Sequence, residues 1–137
     1  MTGEIVPIPV DGDYVVKLAQ ELIRIPAENP PGDCTEVAGR ILSELKSIGV
    51  DRIETHEFKP GQPNFIIQAG DGGEGGHFVI GSHMDTVPVH PDEVEAWEVP
   101  PFSGELRGGE IWGRGGHVRH RCASRLRPRA LLANFIC

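Results

Sequence analysis

The hydrophobic positions in the first fifty residues recur with helical spacing. Apolar side chains return every three or four residues over 14–25 and again over 37–48, which predicts two amphipathic helices. Asp13 is positioned to cap the first helix and Pro26 to end it, whereas Gly49 is a suitable residue just after the end of the second. The stretch between them, 28–33, is rich in turn residues.

Shorter apolar runs farther along predict strands. An alternating stretch, 52–58, indicates an exposed strand, and two compact apolar runs, 64–69 and 77–82, indicate buried ones. A hairpin is expected where Glu105-Leu106-Arg107 and Glu110-Ile111-Trp112 flank two consecutive glycines. Two helices followed by strands with glycine-rich connections predict an α/β layer fold.

Charge divides the 137-residue chain unevenly. The formal net charge is −7, yet residues 1–115 carry −12 and residues 116–137, which contain five arginines and no acid, carry +5. We therefore treat 1–115 and 116–137 as separate units and expect the basic tail to be disordered or poorly packed. Because the rest of the chain is acidic and the tail lacks interleaved aromatic residues, we expect no nucleic-acid binding.

Composition also bears on the cellular setting. No apolar run approaches the roughly 18 residues of a membrane helix, and the first ten residues contain no Lys or Arg, unlike a secretory signal. Three scattered cysteines are too few for a disulfide framework or a Cys-based zinc site. These features predict a cytoplasmic protein with no membrane partner.

The candidate chemistry lies just past the third predicted strand, at His83-Met84-Asp85. In extended backbone residues i and i+2 point the same way, so His83 and Asp85 can share a face. An imidazole can bind zinc through one nitrogen while a carboxylate holds its other N–H, although Asp85 could instead ligate the metal itself. Alone, the tripeptide is a weak signal and favours the simpler interpretation of a loop histidine beside a turn aspartate.

Four ordered segments strengthen the metal interpretation. They are 22–26 (LIRIP) with 29–32 (NPPG), 81–88 (GSHMDTVP), 97–104 (WEVPPFSG) and 111–115 (IWGRG). Together they resemble the N-terminal part of the M20 metallopeptidase family, the group of acetylornithine deacetylase, succinyl-diaminopimelate desuccinylase and carboxypeptidase G2. The resemblance covers about 1–115 and implies a truncated, zinc-peptidase-like catalytic domain of helices packed on a mixed β-sheet.

The resemblance also implies a function. M20 enzymes are two-metal hydrolases, usually with zinc and sometimes with cobalt or manganese, that cleave amide bonds of small N-acyl amino acids or peptides. By this match His83 is a metal ligand and Asp85 is the catalytic-site acid that orients it. Asn29 is either a substrate contact or simply part of the turn.

The chain departs from the family pattern after Gly115. The residue three positions on is Val118, where relatives have a metal-bridging Asp, and no acid follows Glu110. We therefore expect a catalytically incomplete chain, since one histidine does not hold a catalytic zinc. His117 and His120 have i, i+3 spacing that could touch one metal, but no other motif supports such a site.

A change of reading frame in the gene explains the unusual composition of the tail. Residues 117–121 can be encoded by codons that, when read one base later, give Thr-Ser-Asp-Ile. This sequence is similar to the missing bridging-Asp motif, so a frameshift would account for the change.

The alternative class of function is a non-catalytic fragment, or a module that binds a partner through an unpaired sheet edge.

Overall fold

The computed structural model describes residues 9–68 and 81–116, together with the backbone strand at 134–136. Helix α1 spans Gly12–Ile23 and α2 spans Thr35–Ser47. The strands are β1 (Ile53–Glu57), β2 (Pro63–Ile67), β3 (Gly81–His83), β4 (Glu105–Arg107), β5 (Glu110–Trp112) and β6 (Asn134–Ile136), and a 3₁₀ helix covers Pro91–Ala96.

Four of these strands form one sheet in the order β1-β2-β6-β3. Strands β1 and β2 are antiparallel, β2 and β6 are antiparallel, and β3 and β6 are parallel. Strand β6 therefore lies inside the sheet although it comes from the end of the chain. Strands β4 and β5 form a separate antiparallel hairpin, as the glycine pair predicts.

The two predicted helices are present, with one correction at the start of α1. The cap is Asp11 rather than Asp13, because the Asp11 carboxylate accepts hydrogen bonds from the backbone N–H groups of Asp13 and Tyr14 at 3.0 and 3.1 Å. The helix also ends at Ile23, before Ile25. Gly49 follows the end of α2 with a φ of 82°, the left-handed conformation expected of a helix C′ residue.

The hydrophobic core joins α2 to the sheet. Phe65 of β2 is 2 % exposed and is the largest fully buried side chain among the described residues. It belongs to a cluster with Ala27, Cys34, Val37, Ala38, Ile41 and Met84. The buried strand predicted over 64–69 is thus observed as β2, with Phe65 turned inward and Ile66 half exposed.

Other predictions are only partly covered by the described residues. The strand predicted over 77–82 appears as β3 from Gly81, but its described residues are exposed rather than buried, and 77–80 lie outside the described part. The predicted disorder of 116–137 likewise concerns a segment of which only Gly116 and 134–136 are described. Cys34 is fully buried and disulfide-bonded, which the predicted cytoplasmic setting does not favour. None of the described helices is long and apolar enough to cross a membrane.

A polar network joins α1 to α2. The Tyr14 hydroxyl donates to the Glu44 carboxylate, and the Arg40 guanidinium pairs with Glu21 and, at 2.6 Å, with Glu44. The hydrogen bond from Tyr14, followed by the one from Arg40, lowers the pKa of Glu44 below its ordinary value of 4.5. The ionised form of Glu44 is therefore favoured by folding.

This network predicts an acid-dependent loss of stability. Because the folded pKa of Glu44 lies below the unfolded one, its contribution is present above pH 4.5 and is lost as the pH falls through the folded pKa. We expect Glu44→Gln to lower the melting temperature at about pH 7 and to have a smaller effect near about pH 3. Glu105→Gln, which alters an exposed carboxylate on β4, is the control and is expected to change neither. An equal loss from Glu44→Gln at both pH values would contradict this account.

Candidate metal site

His83 is the last residue of β3, and its side chain is 76 % exposed. The imidazole Nδ1 lies 2.9 Å from Oδ1 of Asp85 and 2.8 Å from the Asp85 backbone oxygen. Both partners are hydrogen-bond acceptors, so Nδ1 carries the proton and donates. The other nitrogen, Nε2, then keeps the lone pair that a metal ligand needs.

Asp85 is more enclosed, with 25 % of its side chain exposed. Its second oxygen, Oδ2, accepts a hydrogen bond from the Asn29 side-chain amide at 2.9 Å. The Asn29 hydrogen bond holds the pKa of Asp85 below its ordinary value of 3.8, opposed by burial and supported by the hydrogen bond with His83. Asp85 is consequently a carboxylate at neutral pH.

Met84, which lies between His83 and Asp85, anchors this segment in the hydrophobic core. It is 7 % exposed and packs in the core cluster, whereas His83 and Asp85 interact with each other away from the core. The alternation predicted from the sequence is therefore observed, and the structure brings the two predicted site residues together. Their roles as metal ligand and orienting acid remain predictions.

The loop that follows Asp85 is joined to the segment after α1. The Thr86 N–H donates to the Ala27 oxygen and the Asn29 N–H donates to the Thr86 oxygen, both at 2.8 Å. In addition, the Glu28 carboxylate accepts from the Val89 N–H at 2.6 Å. The sequence identified this segment only as a turn containing a possible substrate contact, and nothing in local spacing indicates its pairing with a loop more than fifty residues away.

The last described part of the M20-like pattern also lies beside this loop. A Cβ at Gly115 would lie 2.9 Å from the Thr86 Cγ2 atom. The Arg114 guanidinium lies 5.1 Å from the Trp97 ring centroid and donates to the Pro88 oxygen at 3.3 Å. Trp97 thus packs within the loop region.

The described residues do not supply a complete metal site. Among 9–68 and 81–116, no group of three or more His, Cys, Asp or Glu side chains is placed to hold a metal ion. The pair His83 and Asp85 fits one metal ligand with its orienting carboxylate, because Nδ1 is held and Nε2 keeps its lone pair. His117, His120 and Val118 lie outside the described residues.

Comparisons with known proteins agree with the motif pattern. No family model matches the chain. Succinyl-diaminopimelate desuccinylase from Methylocella silvestris is 34% identical over 101 residues, covering 73% of this chain and 25% of the relative. The Cereibacter sphaeroides enzyme of the same name is 35% identical over 109 residues, covering 79% and 26%.

A solved structure shows the same fold. The M20 family metallo-carboxypeptidase from Sulfolobus solfataricus matches with a TM-score of 0.61 and 21% identity, over 78% of this chain and 23% of that one. The M20 resemblance is confirmed for an N-terminal part. The predicted α/β fold is confirmed as well. The chain spans about a quarter of the length of the curated relatives it matches.

Proposed function

We propose that this chain is the N-terminal part of an M20-type metal-dependent amidohydrolase and that, taken alone, it is catalytically incomplete. The observation that carries the proposal is the His83–Asp85 pair, in which the side-chain and backbone oxygens of Asp85 hold Nδ1, so that Nε2 of the neutral imidazole is left for a metal. The desuccinylase relatives support an N-acyl amino acid as the substrate class, and the carboxypeptidase neighbour supports a peptide. His83 would contribute one ligand, and Asp85 would hold its tautomer.

The metal expected here is zinc, with cobalt or manganese as substitutes that accept imidazole or carboxylate ligands. When bound in a complete site, such ions polarise a carbonyl and lower the pKa of water. Completing that chemistry requires further ligands and a carboxylate to accept a proton, and no acid follows Glu110 in this sequence. The incompleteness therefore concerns both the metal-binding residues and the general base.

Metal titration of the purified chain tests the role of His83. We expect weak zinc binding that His83→Ala reduces at least about ten-fold, because removing a ligand costs more than disturbing its supporting partner. His56→Ala is the matched control, since His56 is a half-exposed histidine with Glu54 at 3.6 Å. Equal losses from the two variants would show that His83 is no more a ligand than an ordinary surface histidine.

Hydrolysis assays test the incompleteness. With an N-succinyl amino acid and added zinc or cobalt, we expect no product above the rate of the buffer. Zinc-dependent hydrolysis by this chain that disappears in His83→Ala would overturn the claim of inactivity.

Sequencing the gene around the Gly115 codon tests the proposed frameshift, which an intact reading frame would refute.

The competing proposal is a non-catalytic module that binds a partner through a sheet edge. Of the described strands, β1 lies at one edge of the sheet and bears Glu54, His56 and Glu57, polar side chains of a kind that discourages strand addition. Size-exclusion chromatography distinguishes the cases. A monomer with cooperative unfolding supports an independent module, whereas soluble aggregates support an incomplete fragment.

A further inference from the structure

Asn29 contacts the His83–Asp85 loop through both its side chain and its backbone. The side-chain Nδ2 donates to Asp85 Oδ2 at 2.9 Å, and the backbone N–H donates to the Thr86 oxygen at 2.8 Å. These two hydrogen bonds attach one residue to two consecutive residues of the loop. The position of Asn29 relative to Asp85 is therefore fixed at two points.

The carboxylate of Asp85 transmits this contact to the imidazole. Its Oδ2 accepts from Asn29 and its Oδ1 lies 2.9 Å from His83 Nδ1. Because a carboxylate group is planar, holding one oxygen restricts rotation of the other about the Cβ–Cγ bond. The hydrogen bond from Asn29 thus determines where the side-chain acceptor for the His83 N–H lies, beside the Asp85 backbone oxygen that also accepts it at 2.8 Å.

The turn beneath Asn29 is shaped to hold its amide. Gly32 is buried with a φ of 80°, and a Cβ there would approach Cγ and Oδ1 of Asn29 to 3.1 and 3.2 Å. The Gly32 N–H also donates to the Glu28 oxygen at 2.8 Å, which closes the turn. The absence of a side chain at Gly32 therefore leaves the room that the Asn29 side chain occupies.

We propose that Asn29 is a positioning residue that orients the Asp85 carboxylate and thereby keeps His83 in the tautomer with Nδ1 protonated and Nε2 ready to bind a metal. The inference rests on the proposed function, because the orientation of His83 matters only if His83 binds a metal. The tautomer of His83 is nevertheless a property of the metal-free chain and can be measured separately. It assigns to Asn29 a role through Asp85 rather than direct contact with a substrate.

The test is a long-range ¹H–¹⁵N NMR experiment on the imidazoles of the full 137-residue chain without metal, near about pH 8, where an ordinary histidine is neutral. We expect the wild type to show His83 mainly as the Nδ1–H tautomer. In Asn29→Ala the population should shift toward Nε2–H. Asn29→Asp, which keeps the shape of the side chain but replaces the donor with an oxygen, should shift it further through repulsion of Asp85.

Asn64→Ala supplies the matched control. The Asn64 amide donates to the backbone oxygens of Gln62 and His56 at 3.1 and 3.4 Å, so the variant also loses side-chain hydrogen bonds, but between β1 and β2 rather than at the His83–Asp85 loop. We expect no change in the His83 spectrum of Asn64→Ala.

Zinc affinity should fall about three- to ten-fold in Asn29→Ala, less than the roughly 10- to 100-fold typical of a ligand's direct partner.

The outcomes separate the two proposals. An unchanged His83 tautomer in Asn29→Ala or Asn29→Asp, with the variant folded by circular dichroism, overturns the inference even if zinc affinity falls. Should Asn29→Ala fail to fold, the near-isosteric Asn29→Asp decides alone. If His83→Ala leaves zinc binding unchanged while the Asn29 variants still shift the tautomer, the proposed function fails and the positioning of Asp85 and His83 by Asn29 stands.

Discussion

Phe65→Ala is expected to remove a large fraction of the stability of this chain. The side chain is 2 % exposed and lies in the cluster that joins β2 to α2. Truncating a buried phenylalanine costs about 3–5 kcal/mol, because apolar contacts are lost and a cavity remains. Small domains are stable by only about 5–15 kcal/mol, so this loss is a large fraction of the total. Urea unfolding followed by far-UV circular dichroism measures it.

The control for Phe65→Ala is the same substitution at Phe58. That side chain is 88 % exposed, just after β1, so its removal opens no cavity. We expect a change within about 0.5 kcal/mol, typical of surface sites. Similar losses at Phe65 and Phe58 would contradict the placement of Phe65 in the core and would mean that β2 does not pack on α2 in solution.

Gly104→Ala is expected to have the second-largest effect. Gly104 is buried with a φ of 56°, and a Cβ there would lie 2.7 Å from the Gln20 backbone oxygen and 3.2 Å from its Cα. Neither backbone atom can rotate away as a side-chain tip could. The left-handed conformation costs a non-glycine residue roughly 1–2 kcal/mol, and overpacking adds about 1–3 kcal/mol. Chemical denaturation should show the sum, with a lower midpoint.

Gly49→Ala separates the two contributions. Gly49 has a φ of 82°, but no atom lies within 4 Å of its ideal Cβ, so the substitution imposes conformational strain without a close contact. We expect it to cost only the roughly 1–2 kcal/mol of the left-handed backbone. If Gly104→Ala and Gly49→Ala reduced the free energy of unfolding equally, the close packing of Gly104 on α1 would be disproved.

The sequence predicted those parts of the fold that depend on local spacing. Helical periodicity located α1 and α2, and a compact apolar run located β2 with Phe65 inward. The error at the start of α1 has a local cause, since Asp11 and Asp13 are both suitable caps and only the backbone path decides between them. The insertion of β6 between β2 and β3 was not predictable, because no pattern in a three-residue strand specifies its neighbours.

The candidate site was likewise predictable only where it depends on local spacing. The proximity of His83 and Asp85 follows from i, i+2 geometry at a strand end, and the structure shows it. The hydrogen bond from Asn29 joins residues 56 positions apart, so single-sequence reasoning could not distinguish it from a turn or a substrate contact. Long-range polar contacts of this kind require the tertiary fold to be known.

The interior location of β6 has a practical consequence for handling the protein. Phe135 is in register with Phe65 on one side and with Ser82 on the other, so this short strand links β2 to the strand that carries His83. A purification tag fused after residue 137 would begin next to that linkage and could disturb it. Affinity handles and fluorescent fusions intended for the experiments above therefore belong at the amino terminus.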